Sequence, residues 1–273
     1  MKLGIGLHGD ITKNIPAYLA MVKAAGFDSV FDNCNDTCNA QALGTWVNEC
    51  AKQGLTFENA HCSLATVGCW NFHIWEPGEE GDGVLQVLLH DMENCHICGV
   101  PMLVLHVDAR SYANNVFEVG RQRFAALVEQ AEAYGIRLAI ENINCGPYLF
   151  RIMEEFPQSH VGFCYDSGHN LCATPETDYS PLFGRLFCCH LHDNHAGGPD
   201  ETMSIDEHLL PGDGLVDFPK LMGQMRKAGY TGALTLEMSY REHYQKKYSP
   251  EQYVAAVYER ASWLRDLYKG AQA

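Results

Sequence analysis

The sequence predicts an α/β chain closed into a single-domain (β/α)8 TIM barrel over residues 1–273. Three observations carry this. Eight short β-rich runs recur along the chain, helical stretches separate them, and no repeat, linker or low-complexity tract interrupts the alternation. At 273 residues and 47% hydrophobic content, the chain is long enough to bury one large core.

The β-rich runs are LGIGL from residue 3, DSVFD from 28, LTFENAH from 55, MLVLHVD from 102, RLAIEN from 137, VGFCYD from 161, LFCCHLH from 186 and ALTLEM from 233. Amphipathic segments such as AYLAMVKAAG, TWVNECAKQG and RQRFAALVEQAEAYG lie between them, several ending on the glycine that suits a helix C-cap. After the fifth and sixth runs, PYLFRIMEEF and YSPLFGRL predict only short or irregular helices. Strands separated by helices need right-handed crossovers and a parallel sheet, and eight such units close a barrel. A doubly wound open sheet is the alternative, but no glycine-rich phosphate loop follows the first run.

Composition narrows the partners. Nineteen basic against thirty-four acidic residues leave a net charge of −15, which opposes binding to a phosphate backbone, so nucleic acid is a poor partner. The start, MKLGIGLHGDITKN, fits neither a secretion signal nor a membrane span, and a cytoplasmic location is expected. Twelve cysteines sit mostly beside apolar residues and read as reduced core fillers. Cys34 and Cys38 with Cys95 and Cys98 offer a four-thiolate zinc site on paper. The packing reading is stronger, because Cys95 and Cys98 fall on one helix face and a single CxxC is a weak signal.

In a barrel of this kind, the C-terminal strand ends form the active-site mouth. Nearly every run here ends on a residue capable of chemistry: His61, His106, Glu141, Asp166 with His169, His190 with His192, and Glu237. The loop after the seventh run adds Asp206 and His208, with His195 nearby. Singly, each has an ordinary explanation: a core histidine is commonly a satisfied packing residue, and Asp166 in YDSGH suits a helix N-cap. Together they would bury carboxylates and imidazoles at great cost unless cations joined them, and the residue types are those that bind zinc or manganese. His190 and His192, two apart on a strand, share a face, so one is a ligand while the other stands behind it or meets substrate. The stretch VGCWNFHIWEPGEEGDG sets Trp70, Phe72 and Trp75 on a loop, where they read either as packing or as a lid over a sugar-sized substrate.

Five motifs occupy the expected strand ends: AIEN at 139–142, YDSGH at 165–169, HLHDN at 190–194, DEHLLPGDG at 206–214 and LTLEM at 234–238. In their order the chain resembles the xylose isomerase-like TIM barrels, a superfamily of sugar epimerases and isomerases, inosose-processing enzymes and endonuclease IV-type apurinic endonucleases. The resemblance to the epimerases implies one divalent metal on Glu141, Asp166, His190 and Glu237, with His190 preferred to His192 because an acidic residue follows it by three. The resemblance to the endonucleases implies up to three zinc ions, adding His61, His106, His169, Asp206 and His208.

Two chemistries follow from that resemblance. The first is a divalent-metal-dependent isomerase or epimerase of a small sugar or sugar phosphate, with Glu141 and Glu237 on opposite sides of the mouth as acid and base around an enediolate. Trp70, Phe72, His192 and His195 would then contact substrate. The arginine that well-known ketose epimerases carry shortly after the strand-seven histidine is replaced here by HAGGP, which leaves the substrate open. The second chemistry is a multi-zinc phosphoesterase of the endonuclease type, with Arg110, Arg151 and Arg241 the few cations near the mouth. A barrel that binds a chelated ligand without turnover is a third reading, and barrels of this kind often pair as homodimers.

Overall fold

A computed structural model describes residues 1–7, 11, 14–33, 39–63, 71–106, 116–143, 146–195 and 206–270, with the backbone alone for Leu7, Asp32, Asn33, Asn71, Phe72 and Gly146. All eight β-rich runs are strands: β1 Leu3–Leu7, β2 Ser29–Asn33, β3 Thr56–His61, β4 Met102–His106, β5 Arg137–Glu141, β6 Val161–Asp166, β7 Leu186–His190 and β8 Leu234–Met238. They pair in parallel in the order β7-β6-β5-β4-β3-β2-β1-β8. Just beyond β7, the Leu191 amide donates to the Thr235 carbonyl at 2.9 Å and the Glu237 amide to the Leu191 carbonyl at 3.2 Å, which closes the barrel.

Helices α1 Ile15–Ala25, α2 Ala40–Gln53, α3 Glu79–Cys98 and α4 Phe117–Tyr134 cover the sheet, and each ends on a glycine of positive φ, as the sequence predicts. Then come α5 Gly146–Glu155, α6 Ser167–Ala173, α7 Phe218–Lys227, the single turn α8 Glu242–Gln245 and the closing α9 Pro250–Lys269. The segment YSPLFGRL forms a 3-10 helix, Ser180–Arg185, while the helix after β6 starts inside YDSGH. Asp166 is its N-cap, accepting from the His169 amide at 2.6 Å.

Side-chain parity on the strands decides what the barrel encloses. Leu103 and Leu105, Leu138 and Ile140, Phe163 and Cys189 join the large core beneath the helices. Their neighbours Met102, Val104, Ala139, Cys164 and Cys188 form a separate small core, the barrel interior. Since side chains alternate along a strand, the next residue of that inward parity is His106 on β4, Glu141 on β5, Asp166 on β6 and His190 on β7. A shift of register on β3 brings His61 opposite Val104 of β4, at the same end.

Of the two readings for Trp75, packing or lid, the structure shows packing in the core. Trp75 ends a 3-10 turn, Asn71–Trp75, and is wholly buried, stacked on Phe117 at 5.5 Å and against Tyr148 at 4.9 Å. Arg123 of α4 fastens the chain that follows, donating to the carbonyls of Ile74, Glu76 and Gly78 at 2.8, 2.6 and 3.1 Å. Trp70 lies outside the described residues, and for Phe72 only the backbone is described. Cys95 is buried on α3 and the Cys98 thiol donates to the Ala40 carbonyl, both as packing residues do; Cys34 and Cys38 fall outside the described residues. No helix among the described residues is long and apolar enough to cross a membrane.

Gly120 of α4 makes the Trp75 packing testable. A Cβ there would lie 2.0 Å from the indole ring. Alanine in a helix interior ordinarily gains about 1 kcal/mol over glycine, whereas overpacking a core costs about 1 to 3 kcal/mol. With a rigid, enclosed ring the clash wins, so Gly120→Ala is expected to lower the urea midpoint; a raised midpoint would show that the ring moves aside freely.

Candidate active site at the barrel mouth

Glu141 stands at the centre of the mouth, its side chain fully buried. Its Oε2 lies 3.1 Å from His61 Nε2 and 2.9 Å from His106 Nε2, and those two nitrogens are 2.9 Å apart. Its Oε1 meets His190 Nδ1 at 3.1 Å and His169 Nδ1 at 3.4 Å. Glu237 reaches the same His190 nitrogen from β8 at 3.1 Å. The two glutamates therefore flank one imidazole nitrogen.

A second knot lies beside the first. His192 Nε2 is 3.1 Å from Asp166 Oδ2 and 3.9 Å from Asp206 Oδ1, and its ring stacks on His208 at 4.1 Å. Asp206 Oδ2 meets His208 Nε2 at 2.7 Å and His169 Nε2 at 3.4 Å. A Cβ on Gly168 would sit 1.9 Å from the His192 ring, so the glycine of YDSGH makes the room that this imidazole fills. Asp166 serves both earlier readings, capping α6 with one oxygen and meeting His192 with the other.

Asp193 and Asn194 bring the loop to this position. Asp193 is wholly buried and its carboxylate accepts from the amides of Asn194, Gly212, Gly214 and Val216 at 2.8–3.0 Å. Asn194 donates to Asp206 and accepts from the Glu207 amide, and Asp193 bridges Leu209 as a short antiparallel pair. His208 itself sits at φ +50°, a left-handed conformation held by these contacts. Sequence reasoning used Asp193 only as the acidic residue that marks His190 and gave it and Asn194 no structural role, although HDN followed by PGDG is what a carboxylate bound by loop amides requires.

The two histidines expected to contact substrate are placed differently. His192 is wholly enclosed and lies with the other donors, 3.1 Å from Asp166 and stacked on His208. His195 is exposed and paired with Glu207 at 3.0 Å. Arg110 lies outside the described residues, Arg151 stacks over Phe117 and Arg241 is exposed.

The protonation of this cluster follows from its contacts. Burial opposes charge on Glu141, yet His190, His106 and His169 around it hold its carboxyl well below the usual carboxylate range. Burial likewise disfavours charge on His190, but Glu141 and Glu237 raise its pKa well above that of a free imidazole. His169 and His192 are raised in the same way by carboxylates, and His61 by its contact with Cys62 first and by Glu141 second. His106 goes the other way, down to about 4, since burial and the neighbouring His61 and His169 outweigh Glu141.

The donors fit a divalent cation. One ligand atom from each of Glu141, Asp166, His190 and Glu237 lies within 4.8 Å of the others, and the same holds for His61, His106 and Glu141 and for His192, Asp206 and His208. Among the described residues, His190 Nε2 and His192 Nδ1 are buried without a hydrogen-bond partner. Oxygen and imidazole donors in this mixture suit zinc or manganese, and an ion would take over the role that protons play in pairing these charges.

Without an ion, the raised imidazoles stabilise the fold fully below about pH 6.5, and that contribution is lost as pH climbs through their higher folded values. Glu141 works in the opposite sense: its contribution is present above about pH 4 and is lost as pH falls through its low folded value. Adding zinc to chelator-stripped protein near pH 7 should therefore release protons, read by calorimetry in buffers of different ionisation enthalpy. A binding enthalpy independent of buffer would contradict this protonation pattern.

Comparisons with known proteins agree with the fold. An uncharacterized protein of Sinorhizobium fredii is 27% identical over 218 residues, covering 70% of this chain and 68% of that protein. The inosose isomerase of Halalkalibacterium halodurans is 24% identical over 132 residues, 44% of this chain and 45% of the isomerase, so the match spans about half of that relative. Among solved structures, the IolI protein with a zinc atom superposes with a TM-score of 0.77 at 15% identity, covering 99% of this chain and 100% of the other. A D-tagatose 3-epimerase-like protein gives 0.71 at 17% identity, covering 98% and 97%. At these identities the structural likenesses establish the fold, while the family model matches residues 19–267: the chain belongs to the xylose isomerase-like TIM barrel family.

Proposed function

We propose that the protein is a divalent-metal-dependent isomerase or epimerase of a small sugar or sugar phosphate, working by proton transfer next to a carbonyl. The observation that carries the reading is the pair of carboxylates, Glu141 and Glu237, each 3.1 Å from His190 Nδ1 and each within 4.8 Å of the other donors of the quartet. Inosose isomerases among the relatives and epimerases among the structural neighbours support the reaction class.

Glu141, Asp166, His190 and Glu237 would hold the ion, which when bound supplies positive charge beside a carbonyl and its neighbouring hydroxyl. Glu141 and Glu237 exchange the α-proton, one removing it and the other returning it. Their different surroundings suit different tasks: Glu141 is enclosed by four imidazoles, while Glu237 meets His190 and lies nearer the edge of the cluster. His61, His106 and His169 hold the Glu141 carboxylate in place by direct contact.

One observation favours a second reading, a multi-zinc phosphoesterase: the further donor groups around His61 with His106, and around Asp206 with His208, converge on the same mouth. Chelator-sensitive cleavage of an abasic duplex would favour that assignment. The net charge of −15 weighs against a nucleic-acid substrate.

The direct test is solvent deuterium exchange into the α-position of inososes and ketoses, using full-length protein loaded with zinc or manganese. Exchange is expected in the wild type. In Glu141→Gln and Glu237→Gln it should fall by at least about 100-fold, the usual contribution of a general acid or base. Exchange unchanged in either variant would remove that glutamate from the mechanism.

A further inference from the structure

We infer that Phe31 of β2 is a positioning residue for His190, seated by Gly6 of β1, and that its ring replaces the hydrogen bond that normally orients a metal-binding histidine. The inference rests on the proposed cation site of Glu141, Asp166, His190 and Glu237.

A histidine that binds an ion through one ring nitrogen is almost always held through the other, by a carboxylate, a carbonyl or water. His190 departs from that pattern. Its Nδ1 faces Glu141 and Glu237, whereas its buried Nε2 has no hydrogen-bond partner among the described residues. What contacts the ring is aromatic: Phe31 lies parallel to it, with centroids 4.5 Å apart and planes 7° apart, and His61 lies 5.9 Å away at 28°. A face-on ring fixes the plane of the imidazole by packing alone, and so fixes where Nδ1 points.

Gly6 explains how a phenylalanine reaches this place. The Gly6 and Phe31 backbones are register partners on adjacent strands, and a Cβ at position 6 would fall 2.0 Å from the Phe31 ring. The ring therefore lies across β1 in space that any side chain there would occupy. Gly6 pairs on its other side with Glu237, so this small residue sits between Phe31 and the second glutamate of the site. Phe31 is also buried, at 4% exposure, and belongs to neither hydrophobic cluster of the core, consistent with service to the mouth.

The test is zinc affinity of the chelator-stripped full chain, measured by competition with a chromophoric chelator. Phe31→Leu keeps an apolar side chain but removes the flat ring. It should weaken zinc binding by about 10- to 100-fold, the range seen when a partner that orients a ligand is lost. Phe31→Tyr, which keeps the ring, should restore wild-type affinity. Phe124→Leu, in the large core and packed on Phe156, should lower thermal stability and leave zinc affinity unchanged. Glu237→Gln identifies the ion being read, because it removes a donor from the same quartet. Equal zinc affinity in Phe31→Leu and wild type would overturn the inference, as would an equal loss in Phe124→Leu. A wild type that binds no zinc or manganese would overturn the proposed cation site as well.

Discussion

The burial of the Glu141 carboxylate among His61, His106, His169 and His190 is the constraint on which the rest of the site depends. An isolated ionised carboxylate in a barrel interior costs far more than one domain can offset, so its neighbours must carry positive charge, as protons or as a bound cation. The barrel meets that requirement by geometry. Strand parity that fills the interior with Val104, Ala139, Cys164 and Cys188 also aims the next inward residues at one another. The polar mouth is thus the top layer of the same stack that makes the small core.

The loop after β7 extends this arrangement. Imidazoles and carboxylates gather there because Asp206 and His208 complete a cluster begun by Asp166, His169 and His192, a role that lysine and glutamate chosen for solvation would not fill. The backbone that delivers them is organised by one buried carboxylate, Asp193, whose charge is spread over four amides. Gly168, which accommodates His192, and Gly6, which accommodates Phe31, show the same principle: space left empty on one strand or helix receives a ring from another.

The strands were legible in the sequence because a β-rich run followed by an amphipathic helix is a local pattern, and closing glycines mark where most of the helices stop. Seven of the candidate ligands were legible for a related reason, since they end the runs or lie just beyond them, while Asp206 and His208 stood out in the DEHLLPGDG motif of the loop after β7; the structure brings these residues together at one mouth. Contacts between rings are another matter. The Phe31 stack depends on a missing side chain at position 6, and the burial of His192 depends on how the chain turns after β7. Trp75 shows the same limit, for a loop position does not reveal that Phe117, Tyr148 and Gly120 enclose the residue. These are long-range packing facts that no window of one sequence contains.

The central claim is that these buried donors are arranged to hold a divalent cation, and the metal content of the protein tests it most directly. Protein purified without chelator should carry about one or more divalent ions per chain by mass spectrometry, with at least one lost in His190→Ala. A wild type that is folded yet carries only a small fraction of an ion per chain, and takes up neither zinc nor manganese when dialysed against them, would contradict the account.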